Sequence, residues 1–145
     1  MGHLARRSVL SLVHNPVIAA TTNAQSSWVD MANFEGCQFM GTLGAGTTNM
    51  TITVQYAAST TGTGTALSGA SISVVGADDN KGFAFDVYSP HSKGRYLRTA
   101  IAPSTSAGVW DFGGVLALQY DGRRSPKSST GLVDANVDLV VVQTT

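Results

Sequence analysis

From Met50 to Tyr56 the chain sets Met50, Ile52, Val54 and Tyr56 against Thr51, Thr53 and Gln55 in strict alternation. Successive strand side chains point to opposite faces, so this spacing predicts a half-buried β-strand, with β-branched residues suited to the pleat. Residues 36–43 put Cys37, Phe39 and Gly41 on one side and Gln38, Met40 and Thr42 on the other. Between the two runs lie Gly44, Gly46 and Asn49, residue types that accept positive φ, so an antiparallel hairpin is expected. One hairpin is not stable alone in water, and the remaining strands have to cover it.

The same pattern continues downstream. Residues 70–75 carry Ile72 and Val74, residues 83–88 alternate Phe83, Phe85 and Val87 with Ala84, Asp86 and Tyr88, and residues 95–101 alternate Leu97, Thr99 and Ile101 with Tyr96, Arg98 and Ala100 before Pro103. Residues 109–120 form the longest apolar stretch. Gly113 and Gly114 inside it predict a bulge, and its second half, without clean alternation, reads as a central strand covered on both sides. Residues 137–142 form a last strand whose one charge is Asp138. Residues 57–69, rich in Ser, Thr and Gly, are expected to be an exposed loop. Trp28, Met31 and Phe34, at three-residue spacing after a capping Asp30, predict a single helical turn packed on the core. About eight short strands, Gly-rich turns and no long helix give an all-β class: an antiparallel two-sheet sandwich or jelly roll.

Residues 1–27 have a different texture: Arg6 and Arg7, then an apolar run interrupted by His14, Asn15 and Pro16. The interruption argues against a secretory signal, and no run reaches the length of a membrane span. An extended N-terminal arm and linker over residues 1–27, with a first strand at 17–21, precedes a sandwich domain over residues 28–145.

Charge narrows the partners. Nine basic residues balance nine acidic ones, and charged residues are only 12% of the 145-residue chain. So weak a field disfavours nucleic acid and anionic membrane as partners and suits a chain that associates with itself or with another protein surface. The single cysteine, Cys37, precludes an intrachain disulfide and reads as a small buried apolar residue.

Chemistry is sparse. His3, His14 and His91 have no neighbour at metal-ligand spacing. Asp78, Asp79 and Asn80 begin like a calcium loop but lack its later glycine and glutamate, so a turn is expected. The glycine-rich residues 41–48 lack the Gly-Lys-Ser/Thr ending that holds phosphate, and Ser68-Gly69 and Ser106-Ala107-Gly108 make no nucleophile elbow. Asn49-Met50-Thr51 fits a glycosylation sequon inside the start of a strand. No catalytic residue, cofactor site or metal site is assigned, and no enzyme is expected. Arg123, Arg124 and Lys127 form a concentrated basic loop, read as a solvated turn or as a dock for an acidic protein surface.

In order along the chain come Val29-Asp30-Met31-Ala32-Asn33-Phe34, Leu43-Gly44-Ala45-Gly46, Val54-Gln55-Tyr56-Ala57, Asp79-Asn80-Lys81, Arg95-Tyr96-Leu97-Arg98 and Tyr120-Asp121-Gly122-Arg123-Arg124-Ser125-Pro126. This ordered set resembles the small capsid cement, or decoration, proteins of tailed bacteriophages, over most of residues 28–142. The resemblance implies a jelly-roll protein made in the bacterial cytoplasm that binds the outside of an icosahedral shell in many copies and bridges neighbouring subunits. Its partners would be the major capsid protein and other copies of itself, as a dimer rather than a trimer. On that basis Arg6, Arg7, Val17, Ile18, Arg123, Arg124 and Lys127 are expected to touch the capsid, and Val137, Leu139, Val140, Val141 and Val142 to pair with a second copy. Deleting residues 1–21 is expected to abolish shell binding and leave the fold intact. The alternative is a carbohydrate- or receptor-binding sandwich using Trp28, Trp110 and Tyr120.

Overall fold

A computed structural model describes residues 8–88, 90–104 and 109–122. They form ten strands: β1 (Val9–His14), β2 (Val17–Ala20), β3 (Ala24–Gln25), β4 (Val29–Asp30), β5 (Phe34–Gly46), β6 (Met50–Ala57), β7 (Thr65–Val74), β8 (Gly82–Tyr88), β9 (Tyr96–Pro103) and β10 (Trp110–Gly122). All pairings are antiparallel. Sheet I has the order β1-β10-β5-β8, with β2 also on β10; sheet II has the order β3-β9-β6-β7, with β4 also on β9. Counting β1 with β2 and β3 with β4 as single interrupted strands, eight strands switch sheets at every connection except the β6–β7 hairpin within sheet II, which is the jelly-roll arrangement.

The alternation read from the sequence is the burial that is found. Phe83, Phe85 and Val87 on β8, Leu97, Thr99 and Ile101 on β9, and Met50, Ile52 and Val54 on β6 are all buried between the sheets. With Phe39, Met31 and Trp110 they make one core, and full burial of each large side chain contributes roughly 1.5–3 kcal/mol. The bulge at Gly113 and Gly114 is present as a register shift between Phe112 and Val115. It lies opposite the break between β1 and β2: Gly114 has φ +95°, and a Cβ there would sit 2.9 Å from the His14 carbonyl oxygen and 3.3 Å from Pro16 Cδ. Pro16 cannot donate to the ladder, and the bulge in its neighbour accommodates that missing rung.

Four expectations change. The runs at 36–43 and 50–56 are not a hairpin, because β5 belongs to sheet I and β6 to sheet II. Their connection is tied to other strands: the Thr47 amide donates to the Val109 carbonyl at 3.0 Å, Trp110 Nε1 donates to the Thr48 carbonyl at 2.6 Å, and Ser104 N–H donates to the Asn49 carbonyl at 2.8 Å. These bonds turn the chain from one layer into the other. Residues 9–25, expected in an extended arm with a first strand at 17–21, supply β1, β2 and β3, of which β2 is that strand, and Val13 is in the core. Deleting residues 1–21 would therefore strip one flank of β10 rather than spare the fold. Residues 65–69, expected in a loop, open β7. At Asp30 a tight turn replaces the helical one: Asp30 Oδ1 accepts from the Ala32 amide at 3.0 Å, and the Phe34 amide donates to the Met31 carbonyl at 3.1 Å. Met31 and Phe34 are buried there, whereas Trp28 is half-buried.

Candidate functional site: an apolar sheet face

Among the described residues no group of three or more His, Cys, Asp or Glu could hold a metal ion. His91 Nε2 lies 3.2 Å from Glu35 Oε2, and His14 Nδ1 lies 2.7 Å from the Asn15 carbonyl oxygen. Cys37 is fully buried, and burial pushes its thiol well above the ordinary range, so it is a packing residue and not a nucleophile. The Asp78–Asn80 segment is a turn whose carboxylates are spent on the chain itself. Asp78 accepts from the Val75 amide at 3.0 Å and from Lys81 at 2.9 Å, bonds that hold its pKa below the usual value, and Asp79 accepts from the Gly46 amide at 3.0 Å.

A cleft of about 390 Å³ opens on the flank of the sandwich where β7 and β8 run past each other, with Leu43, Ile72, Val74 and Phe83 as its floor. Ser73 and the Asp78–Lys81 ion pair also line it, so the cleft is a seam of mixed polarity between two sheet edges.

The two outer faces differ sharply. On sheet II, cross-strand rows carry Thr51 beside Ser73, Thr53 beside Ser71 and Gln55 beside Arg98. The hydroxyls of Thr53 and Ser71 are 3.2 Å apart, and Arg98 Nε donates to Gln55 Oε1 at 2.9 Å. That face is wet and hydrogen-bonded. On sheet I, Leu12, Leu116, Met40 and Ala84 make one row, and Leu10, Leu118, Gln38 and Asp86 the next. Each of these residues alternates with an inward neighbour such as Val115, Ala117, Phe39 or Phe85, so the row members stand on the outer side of the sheet, where Leu10, Leu12, Met40 and Leu116 are half-buried and Leu118 is only 7% exposed. A third row ends the face with Tyr120, Gly36 and Tyr88. Gly36 is required there: a Cβ would lie 2.1 Å from Tyr120 Cζ, so the tyrosine ring crosses β5 where no side chain stands. The ring then stacks on Tyr88, with centroids 6.2 Å apart, and its hydroxyl donates to Asp86 Oδ1 at 2.5 Å. Burial, followed by that bond to Asp86, raises the Tyr120 pKa, so the phenol stays protonated. Asp86 is the one charge in these three rows, and every described strand belongs to one of the two sheets, so no third layer of described strands lies over the face.

Of the residues expected to touch a capsid, two are described. Val17 pairs with Phe112 and packs against the core; Ile18, the next residue, is 85% exposed on the opposite side of β2, flanking the sheet I face. Arg6, Arg7, Arg123, Arg124 and Lys127 lie outside the described residues, as do the self-pairing residues Val137, Leu139, Val140, Val141 and Val142. The aromatics considered for carbohydrate do not form a platform. Trp110 is fully buried, Tyr120 lies on Gly36, and the Arg98 guanidinium sits 4.2 Å from the Trp28 ring centroid, over the surface a sugar would need. The sequence did carry a signal for the sheet I face: Leu10 and Leu12 flanking Ser11, Met40 in the polar set of its run, and Val115-Leu116-Ala117-Leu118 apolar on both sides.

No family model and no curated protein matches this chain. Solved structures do. PBSX exported protein XepA superposes with a TM-score of 0.52 at 14% identity, covering 99% of this chain and 46% of the XepA chain. A chain of the Bacillus endospore appendages, described as disulfide-linked pili, aligns at a TM-score of 0.49 with 20% identity over 82% of this chain and 90% of that one. The Tobacco streak virus coat protein aligns at 0.39 with 7% identity, over 95% of this chain and all of that one. At such identities the XepA match bears on the fold alone: the chain is an antiparallel two-sheet β-sandwich. Among the described residues no helix is long and apolar enough to cross a membrane.

Proposed function

We propose that this chain is a structural protein of a phage particle, bound in many copies to the outer surface of an icosahedral capsid, where it bridges neighbouring major-capsid subunits and stabilises the shell. It is not an enzyme. The observation that carries this reading is the outer face of sheet I: Leu10, Leu12, Met40, Leu116 and Leu118 side by side on a jelly roll whose other broad face mixes Thr, Ser, Gln and Arg98 with the small Ala100 and Ala102. A sheet that is apolar on both sides is one built to be covered on both sides. The likeness of its ordered motifs to capsid cement proteins supports the same assignment. Each contact needs only modest strength, because attachment to a lattice multiplies weak contacts, and a ligand that binds only the folded shell raises shell stability by mass action.

The test is reconstitution. Purified protein mixed with bare heads of its phage is expected to co-sediment at saturating, symmetric occupancy and to raise the temperature at which the heads rupture. Absence of bound protein at micromolar concentration would refute the assignment.

A further inference from the structure

We propose that the free edge of β7 is a self-association site, where a second copy of this chain adds its own β7 antiparallel across a two-fold axis at Ile72. Sheet II of each copy then continues into sheet II of the other. This pairing does not depend on the capsid reading and is tested on the free protein.

The sandwich has four sheet edges, and three of them carry features that discourage a further strand. The β1–β2 edge is broken at Pro16, the β3–β4 edge consists of two pieces of two residues each, and β8 bears Asp86 and starts beside Lys81. β7 has no such guard. From Gly36 to Ala77 the chain contains no Asp, Glu, Lys, Arg, His or Pro. The strand is ten residues long and pairs with β6 on one side, and among the described residues no other backbone–backbone hydrogen bond involves it. Its one irregularity is the bulge at Gly69, φ +83°, where the register with β6 shifts between Thr53 and Gln55. Beyond the bulge, Ser71 to Val74 pair regularly with Thr53 to Met50.

That last segment matches itself when reversed. Ala70, Ile72 and Val74 turn toward the core, and Ser71 and Ser73 are exposed on the outer face. With the axis at Ile72, Ile72 lies opposite the partner's Ile72, Ser71 opposite the partner's Ser73, and Ala70 opposite the partner's Val74. Hydroxyl meets hydroxyl on the wet face and aliphatic meets aliphatic on the core face, pairs that stabilise neighbouring strands. A slip of one residue would set Ser against Ile and flip one strand's faces. Alternate residues of a strand turn their N–H and C=O groups to opposite sides, and this register forms reciprocal bonds whether residues 71 and 73 or residues 70, 72 and 74 present them outward. Ile72 is only half-buried and lines the cleft between β7 and β8, so the partner strand also covers an incompletely packed aliphatic side chain.

The reversed self-match selects a second copy as the occupant, because an uncharged edge offers a foreign strand no electrostatic selection. Each copy has one such edge, so the contact is isologous and closes at two. Five paired residues at roughly 3.3 Å each, on a strip about 10 Å deep, make about 170 Å² of contact. A stable free dimer buries about 800 Å² on each partner, so this one is weak and reversible, held chiefly by its main-chain bonds.

The experiment is sedimentation equilibrium of the full chain with amide hydrogen exchange over the same concentrations. Dimer is expected to form between about 0.01 and 1 mM, the range of a weak contact, and the outward amides of residues 70–74 to gain protection in step with it. Ser71→Lys/Ser73→Lys, at two exposed positions, sets lysine opposite lysine in this register and is expected to weaken dimerisation at least tenfold. Ser71→Lys/Ser73→Glu sets opposite charges across the axis; it is expected to restore the dimer at about 0.05 M salt and to lose that gain near 1 M, where screening acts within about 3 Å. A wild type still monomeric at the highest concentration overturns the inference, as does a dimer that the double lysine variant leaves intact. Failure of the opposite-charge variant to rescue would overturn the axis at Ile72. Outward amides already protected in the monomer would also overturn the inference, because the edge would then be covered within one chain.

Discussion

Thr99 faces into the core from β9, is 0% exposed, and its hydroxyl has no hydrogen-bond partner. Its backbone is satisfied: the Thr99 amide donates to Ser26 Oγ at 3.0 Å, and the Thr99 carbonyl accepts from the Ser26 amide at 2.9 Å. The side chain thus carries a desolvated hydroxyl that Thr99→Val removes without changing its shape. An unpaired buried polar group costs about 1–3 kcal/mol, so the variant should gain about 1–2 kcal/mol after small packing losses. In a domain of this size that is a rise in Tm of about 3–8 °C, read by circular dichroism under reversible conditions. Ser26→Ala is the matching control. It leaves the buried Thr99 amide without its acceptor and should lose about 1–3 kcal/mol. A Thr99→Val protein that melts at or below the wild-type temperature would refute the reasoning, because the hydroxyl would then have a partner in solution.

Three further outcomes follow from the same geometry. Val115→Asn, at a fully buried inward position, should lose about 3–5 kcal/mol from lost burial and an unpaired amide, whereas Leu116→Gln on the outer face should lose under about 1 kcal/mol; equal losses in urea melts would contradict the outward orientation of Leu116. Asp30 accepts both Arg95 guanidinium bonds, at 2.7 and 2.6 Å, and the Arg95 bond is the main cause that lowers its pKa below 3.8 in the folded state. A lowered folded-state pKa stabilises above the unfolded value and loses that contribution as pH falls, so the stability gap between wild type and Asp30→Asn should be constant above about pH 5 and close as pH drops below 3.8; a gap that persists at pH 2 would sink the ion pair as its origin. Gly36→Ala should drive the Tyr120 ring off β5, break its bond to Asp86 and cost about 1–3 kcal/mol, and an unchanged melt with unchanged Tyr120 and Tyr88 ring resonances would show that the ring does not cross there.

What the sequence made legible was periodicity, and periodicity reports burial. Phe83, Phe85 and Val87, Leu97, Thr99 and Ile101, and the glycine bulge at 113–114 were all readable because each residue's face is decided by its own alternation. Pairing is not decided that way. Nothing in residues 36–56 distinguishes a hairpin from two strands handed between sheets, since both bury the same side chains; the choice is made by Trp110 and Val109, more than fifty residues away, bonding to Thr48 and Thr47. A strand after Pro16 was legible and is β2, but β1 before it was hidden for a related reason: Pro16 breaks the run until the Gly114 bulge opposite it is seen. The outer face of sheet I was half legible. The absence of alternation in Val115-Leu116-Ala117-Leu118 reads as a central strand covered on both sides; β10 is central in sheet I, but the rows it forms with Leu10, Leu12 and Met40 have no described layer above their outer side.

The most direct measurement is an electron cryomicroscopy reconstruction of heads decorated with this protein, at a resolution that distinguishes the two sheets. The predicted map has sheet I toward the shell, with Leu116, Leu118 and Met40 against apolar capsid side chains and the Thr51, Thr53 and Ser71 face in solvent. A map with sheet II against the shell, or heads that carry no density for this chain, would contradict it.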